Sequence, residues 1–190
     1  MEDRIRTFLA VDLPAEIKQG IDRIQGRLKP QVEGVRWTDP PAIHLTLHFF
    51  GHIPGGEVAK VTEIAKKNVE GAAPFMLNVG SLGVFPGLRR PRVLWLGVDG
   101  KIASLCVIRE GIEKDLGDAG FPLESRAFRP HLTLGRIKDA ASVRGLEKAI
   151  SAGSFTAGSF TVNSLTLFRS DLRPGGAVYT KIQDYPFGIV

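Results

Sequence analysis

The hydrophobic pattern of this chain switches repeatedly between the two-residue spacing of strands and the wider spacing of helices. Apolar residues three and four positions apart predict helices that begin after Pro14 and near residues 57, 101 and 141, and that end near residues 28, 69, 119 and 151. Alternating or continuously apolar segments predict strands, several of them bounded by proline or glycine. These strands are expected at residues 7–11, 34–37, 43–50, 75–84, 92–98, 131–134, 155–168 and 178–183.

The order of these elements lacks the regular strand, helix, strand alternation that builds a parallel sheet. The pattern therefore predicts an α+β protein whose strands pair mainly antiparallel. No long polar linker divides the chain, so residues 1–190 are interpreted as a single two-lobed domain rather than two autonomous units.

Composition places the chain among soluble globular proteins. Cys106 is the only cysteine in 190 residues, which excludes an internal disulfide framework and a cysteine-based zinc cluster and favours a reducing compartment. The first apolar stretch, residues 8–13, is far shorter than the ~20 residues of a membrane span. We therefore expect a cytoplasmic protein without membrane attachment, and no obligatory protein partner is evident.

Positive charge favours a polyanionic partner but does not establish one. The 25 Lys and Arg residues outnumber the 20 Asp and Glu residues, which gives a formal charge of +5 and a pI near 9.6. Such a surface attracts nucleic acids. A charge of this size also serves solubility alone, so both explanations stay open on charge.

The tetrapeptide His-Leu-Thr-Leu occurs twice, at residues 44–47 and 131–134, in a chain with only four histidines. Each copy lies on a predicted strand, where alternate side chains point to opposite faces. The leucines are expected to anchor each strand in its own core, while the histidine and threonine of each copy project together. An amphipathic strand that tolerates polar residues explains one copy, but it does not require the same polar residues in the same order twice.

Two such strands facing each other across a cleft predict an acid–base site around an anionic centre. An imidazole has an ordinary pKa of ~6.5, so at neutral pH one histidine accepts a proton while another donates one. Threonine hydroxyls donate hydrogen bonds to phosphate oxygens. His44 and His131 are therefore the candidate catalytic residues, and Thr46 and Thr133 the candidate phosphate-binding residues.

A metal site is the competing interpretation, because His44, His48 and His52 are spaced four residues apart. On a helix this spacing aligns them, as in some zinc sites. The segment is rich in strand formers, however, and on a strand the three span about 26 Å at ~3.3 Å per residue. We therefore expect neither a metal nor another cofactor. His48 is instead expected to add charge near the mouth of the cleft below neutral pH.

With both tetrapeptides in view, and with Arg129-Pro130 before and Gly135-Arg136 after the second copy, the chain resembles the 2H phosphoesterase superfamily. More narrowly, it is similar to the RNA 2',3'-cyclic phosphodiesterases, also called 2'-5' RNA ligases. Residues 6–14 resemble the opening strand of the family, residues 92–97 its central strand and residues 176–179 its closing strand.

The resemblance implies two pseudo-symmetric antiparallel sheets with outer helices and a central cleft. It implies that His44 donates a proton to the leaving oxygen, that His131 activates water, and that Thr46 and Thr133 bind the phosphate. It also implies opening of an RNA 2',3'-cyclic phosphate to a 2'-phosphate, without a metal.

Further residues are candidates for substrate binding. Arg136 occupies a basic position of the family and is a candidate phosphate clamp, although strict alternation turns it away from His131. Phe8 and Tyr179 are candidates for stacking on a base; the alternative is that Phe8 lies in the core and Tyr179 is half-buried. Three arginines in and beside a predicted basic loop are candidates for contacting an RNA backbone or for serving solubility only: Arg89, Arg90 and Arg92.

Three alternative functions remain open on the sequence. Two are enzymatic: a 2'-5' RNA ligase and a phosphodiesterase acting on small cyclic nucleotides. The third is an RNA-binding module that keeps the cleft but performs no chemistry.

Overall fold

The fold consists of two antiparallel sheets and four helices, seen here in a computed structural model that describes residues 4–153, 155–174 and 176–188. The strands are β1 Arg4–Val11, β2 Val35–Trp37, β3 Leu45–Pro54, β4 Phe75–Phe85, β5 Val93–Gly100, β6 His131–Ile137, β7 Thr156–Val162, β8 Ser164–Arg173 and β9 Gly176–Pro186. The helices are α1 Ala15–Leu28, α2 Val58–Val69, α3 Ile102–Asp118 and α4 Leu146–Ser151.

The first sheet has the strand order β3-β1-β8-β9, and the second has the order β2-β6-β5-β4-β7. All recorded strand pairs are antiparallel. These two sheets confirm the α+β prediction and the pairing expected from the sequence. Each His-Leu-Thr-Leu strand, β3 or β6, pairs with β1 or β5 respectively.

One continuous core joins the two sheets to the helices. The leucines of both tetrapeptides belong to it, together with apolar residues of every helix. The expectation of a separate core for each tetrapeptide strand is therefore wrong. In α1, for example, buried apolar residues recur at helical spacing: Ile17, Ile21, Ile24 and Leu28. Burial of one face of each sheet leaves the opposite face for the site.

The last helix is shorter than the predicted segment 141–151, because α4 begins only at Leu146. Gly145 precedes it with a φ of 74°, and a Cβ there would lie 1.8 Å from the carbonyl oxygen of Gln31. Only glycine fits this approach, so the backbone leaves helical geometry at this residue. None of the helices in the described ranges is long and apolar enough to cross a bilayer.

Candidate active site

The two tetrapeptide strands come from different sheets and lie beside each other, with Cα atoms of β3 and β6 within 8 Å. On each strand both leucines are buried, whereas Thr46 is exposed and Thr133 is partly exposed. The histidines are partly buried, with His44 immediately before β3 and His131 at the first position of β6. The predicted alternation of leucine and polar faces is therefore present in both copies.

Each histidine ring is held by an equivalent hydrogen bond to a backbone carbonyl two residues earlier. Nδ1 of His44 lies 2.9 Å from the carbonyl oxygen of Ala42, and Nδ1 of His131 lies 2.7 Å from that of Arg129. A carbonyl oxygen only accepts, so Nδ1 carries the proton in each ring. In the neutral imidazole, Nε2 is then the basic nitrogen. The two halves of the chain thus present the same tautomer, with Nε2 left for proton transfer.

Aromatic rings support His44. Its imidazole stacks on Phe8 with 4.4 Å between ring centroids, and Phe168 lies in a further stacked position at 5.9 Å. Tyr179 meets the imidazole edge-on at 5.0 Å. Such contacts fix the plane of the ring and exclude water from one side of it. The orientation of His44 is therefore set by sheet residues from β1, β8 and β9.

Burial makes the neutral form of His44 dominant. It lowers the pKa of this imidazole from 6.5 to about 4, against the opposing influence of the Ala42 carbonyl and the Asp12 carboxylate, while Lys18 adds to the lowering. In the protein without substrate, His44 is therefore a proton acceptor at neutral pH. An anion bound nearby stabilises the imidazolium and shifts the pKa upwards.

A second pair of aromatic rings lies beside His131. Phe85 meets the imidazole edge-on at 5.0 Å and packs against Trp95 at 4.9 Å. The indole of Trp95 covers Gly83, where a Cβ would lie 2.2 Å from a ring carbon. Trp95 also pairs with Thr133 across β5 and β6. Each histidine is therefore placed by a carbonyl two residues earlier and by an aromatic cluster of its own sheet.

A cavity of about 370 Å³ opens next to His44 and is lined on its polar side by Asp12, Lys18 and Lys181. Both lysines bind the same carboxylate, at 2.8 Å and 3.0 Å. Burial raises the pKa of Asp12, but the hydrogen bonds from the two lysines outweigh it, so the pKa lies below its ordinary value. Asp39 also lines the cavity, so its lining carries two lysines and two carboxylates, and the cavity has room for part of a nucleotide.

A β-bulge lies at the last residue of each tetrapeptide. Leu9 pairs with His48 and Ala10 with Thr46, so Leu47 has no partner on β1. Leu134 is likewise unpaired on β5, because the register passes from Trp95 opposite Thr133 to Leu94 opposite Gly135. A bulge inserts one residue and reverses the alternation that follows it. The residues just beyond each bulge therefore face the opposite way from a regular strand; in β3 a second unpaired residue, Phe50, ends this reversal.

The second bulge brings Arg136 to the site. Arg136 pairs with Val93, which lies two residues from Trp95 and so on the same face of β5 as Trp95 and Thr133. Strict alternation turns this arginine away, and the extra residue Leu134 turns it back. Among the described residues, Arg136 makes no recorded hydrogen bond or ion pair. Arg136 is therefore exposed on the same strand face as His131 and Thr133.

The first bulge sends His48 into the interior, so the expectation that it adds charge near the cleft mouth is wrong. His48 is 2% exposed, and its Nδ1 lies 2.8 Å from Glu113 of α3. The same carboxylate accepts a hydrogen bond from Arg109, which also donates to the carbonyl of Leu47. This polar triad of His48, Arg109 and Glu113 thus holds the bulged residue itself.

We expect Glu113→Ala to destabilise the protein by roughly 2–4 kcal/mol, because it leaves a buried histidine and an arginine without their acceptor. Urea unfolding measures the change. Asp118→Ala is the matched control, since Asp118 lies on the same helix in an exposed pair with Lys114. Equal stability of the two variants would show that the triad does not hold the bulge.

The histidines at 44, 48 and 52 do not form a stripe, because residues 45–54 are a bulged strand and His48 turns inward. No group of three or more His, Cys, Asp or Glu side chains in the described ranges is arranged to hold a metal ion.

The two aromatic candidates have different surroundings. Phe8 is 2% exposed and its ring lies against His44 and Phe168, so it has no free face for a base and supports the histidine instead. Tyr179 is partly exposed and lines the cavity. The sequence reasoning missed Phe168 and Phe85 as supports. Their place on a sheet face depends on pairings distant in the chain, and only the alternation in β8 hinted at Phe168.

Comparison with known proteins gives a consistent result. A family model described as LigT like Phosphoesterase matches the chain twice, over residues 11–95 and 96–179. A protein of Methanothermobacter thermautotrophicus named RNA 2',3'-cyclic phosphodiesterase is 33% identical over 186 residues, which covers 95% of this chain and 97% of that protein. One of Thermotoga maritima with the same name is 30% identical, with 96% of each chain covered.

Solved structures agree with these relatives. A crystal structure of a Thermus thermophilus protein has a TM-score of 0.82 at 27% identity, with 96% of this chain and 98% of that chain covered. The structure of E. coli LigT with 3'-AMP has a TM-score of 0.78 at 26% identity and covers 97% and 99%. The two matches of one family model fit the two similar tetrapeptide strands, one in each half.

Proposed function

Because the chain belongs to the LigT-like phosphoesterase family, and is thus an enzyme of the phosphoesterase class, we propose that it hydrolyses RNA ends bearing a 2',3'-cyclic phosphate. The product is a 2'-phosphate, and His44 and His131 are the acid–base pair. One observation carries the proposal: both imidazoles donate Nδ1–H to a carbonyl two residues earlier, so two equivalent Nε2 atoms are left for proton transfer. The names of the relatives supply the substrate class.

The proposed reaction is an attack of water on the cyclic phosphorus. As the new P–O bond forms, the water proton passes to Nε2 of His131, and the P–O3' bond breaks. The proton on Nε2 of His44 passes to the leaving O3', which becomes a hydroxyl. The phosphate stays on O2', and one water is consumed, so the atoms balance. The two tetrapeptides are identical and do not distinguish the acid from the base, so this division of roles is taken from the family resemblance.

Charge on the phosphate oxygens is offset by hydrogen-bond donors on both sides of the cleft. The hydroxyls of Thr46 and Thr133 project from the same strand faces as the histidines, and Arg136 lies beyond Thr133 on that face. Donors fixed in advance stabilise charge that grows in the transition state. The proposed chemistry needs no Lewis acid, since the imidazoles handle both protons.

For His44 to act as an acid, binding of the anionic substrate must raise its pKa so that the imidazole takes up a proton from the solvent. With a pKa of about 4, this imidazole is almost entirely neutral at pH 7 before substrate binds. One negative phosphate nearby stabilises the imidazolium. Substrate binding is therefore coupled to uptake of a proton, and His44 becomes protonated and able to act as an acid only when a phosphate is present.

The experiment that tests the function uses a short RNA ending in a 2',3'-cyclic phosphate, incubated with the purified protein in EDTA. Mass spectrometry and phosphatase treatment identify the product end, and we expect a 2'-phosphate. Loss of activity to EDTA with recovery on zinc would contradict the metal-independent mechanism. Turnover of small cyclic nucleotides alone, joining of ends to a 2'-5' linkage, or binding without turnover would favour one of the three alternative functions.

The loop between β4 and β5 is expected to contribute long-range charge. Arg89 and Arg90 are exposed in it, and Phe85 at its start contacts His131. Each phosphate contact to single-stranded RNA changes the slope of log K against log salt by about 0.7. The double change Arg89→Ala and Arg90→Ala should flatten the slope for a single-stranded RNA by roughly 1.4, and an unchanged slope would assign the loop to solubility.

A further inference from the structure

Arg6 of β1 is held in place without a carboxylate partner. Its guanidinium carbon lies 4.4 Å from the ring centroid of Phe49, and it donates a hydrogen bond to the hydroxyl of Ser170. In the described ranges no Asp or Glu lies within ion-pair distance of it. Lys18 and Lys181, in contrast, both bind Asp12. The charge of Arg6 is therefore fixed in direction but not neutralised.

The register places this arginine on the face that carries the site. Arg6 and Phe8 are two residues apart on β1 and share a face. Phe8 lies under His44 and pairs with Phe49, whose side chain is 38% exposed. Arg6, Phe49 and the histidine support thus lie on one continuous surface.

The pseudo-symmetry of the two bulges relates Phe49 to Arg136. Phe49 is the second residue after the unpaired Leu47, and Arg136 is the second residue after the unpaired Leu134. At this position β6 carries the cation Arg136 itself. The equivalent position of β3 carries Phe49, and the guanidinium of Arg6 lies over its ring. Both sides of the site thus carry a positive charge two residues of the partner strand beyond the threonine.

The distance suits a neighbouring nucleotide. Thr46 pairs with Ala10 and Phe49 pairs with Phe8, so the two β3 residues are separated by two steps of β1, or about 7 Å. A group bound at Arg6 is therefore too far away to be the cyclic phosphate held at Thr46. A longer RNA places its next phosphate and base beyond the terminal nucleotide.

We propose that Arg6 and Phe49 form a subsite for the nucleotide that precedes the cyclic-phosphate end, with Arg6 binding the phosphodiester that joins the two. This inference rests on the proposed function and adds a preference for RNA over a free cyclic mononucleotide. Phosphodiester binding by a guanidinium stacked on a ring matches the chemistry of arginine. The exposed part of Phe49 is then available to the preceding base.

The test compares a dinucleotide ending in a 2',3'-cyclic phosphate with the nucleoside 2',3'-cyclic phosphate. We expect Arg6→Ala to lower the ratio of the two kcat/KM values roughly 10- to 100-fold, the range for loss of one hydrogen bond to a charged group. Ser170→Ala, which removes only the hydrogen bond to Arg6, should lower the ratio less. Arg169→Ala is the control, because it removes the same charge from the neighbouring strand at a position that alternates away from Phe168.

A dinucleotide with an uncharged methylphosphonate linkage separates phosphate binding from indirect effects. With this substrate, the ratio should be insensitive to Arg6→Ala. An equal loss on all substrates, or the same loss with the methylphosphonate, would overturn the proposal. Calorimetry with the 2'-phosphate products of the two substrates gives a corresponding ratio of Kd values. If neither cyclic substrate is turned over, the proposed function fails, whereas the binding ratio still decides whether Arg6 contacts the linkage.

Discussion

Replacement of His44 or of His131 by alanine is expected to lower kcat on RNA 2',3'-cyclic phosphate ends by roughly 10²- to 10⁴-fold, the contribution of a positioned general acid or base. Affinity for the substrate should change far less, because Thr46, Thr133 and Arg136 also contact the phosphate in the proposed complex. Single-turnover kinetics measure the chemical step, and equilibrium binding measures the affinity.

The matched control is His52→Ala, since His52 is an exposed histidine of the same strand as the first tetrapeptide. The double variant of His44 and His131 should be hardly slower than the worse single variant, because the two imidazoles act in one step. A modest loss in both single variants, with multiplied effects in the double variant, would instead indicate two independent binding contributions and no acid–base pair.

Alternation along the strands is enough to predict which four side chains of the tetrapeptides face the site. His44, Thr46, His131 and Thr133 carry their own signal, because each leucine of the two copies needs burial and the period of a strand is two. The same reasoning recovers the antiparallel α+β architecture. It depends only on residues close together in the chain.

The bulges cannot be predicted in this way. Whether Leu47 is paired depends on β1 and on Arg109 of α3, which binds the carbonyl of Leu47 from 62 residues away. Without that information, His48 is assigned to the cleft mouth and Arg136 is turned away from the second histidine. The unpaired residues Leu47 and Leu134 reverse both assignments, and the sequence carries no local mark of either bulge.

The support of the histidines is likewise a product of distant contacts. From the sequence alone, Phe8 is a candidate for base stacking because it is aromatic and lies in a strand near the site. Its ring packs against His44, Phe168 and Tyr179 and is only 2% exposed, so it is not open to a base. An aromatic residue near a site can bind the substrate or hold the catalyst, and only the three-dimensional neighbours distinguish the two.

Burial of His44 should also make the stability of the protein depend on pH. The folded pKa of about 4 lies below the ordinary value of 6.5, so between these values the unfolded chain binds more protons than the folded one. The contribution of this histidine is complete above pH 6.5 and is lost as the pH falls to 4. The difference from 6.5 to about 4 corresponds to about 3 kcal/mol.

Urea unfolding of the unaltered protein and of His44→Gln isolates this contribution from all other titrating groups. Glutamine has no charge in this range, so the stability of the unaltered protein relative to the variant should fall by about 3 kcal/mol between pH 7 and pH 4. Parallel pH profiles for the two proteins would mean that His44 titrates normally in the folded state.

The same low pKa predicts that substrate binding takes up a proton. His131→Ala is expected to bind the nucleoside 2',3'-cyclic phosphate without efficient turnover, and this ligand keeps a single negative charge throughout the titration. Calorimetry in buffers of different ionisation enthalpy should detect uptake of up to one proton at pH values between about 4 and the pKa of His44 in the complex. The uptake should vanish when His44→Gln is added to His131→Ala. If no proton is taken up near neutral pH, His44 stays neutral beside the phosphate, and it must then be the group that accepts the water proton, which gives the role of acid to His131.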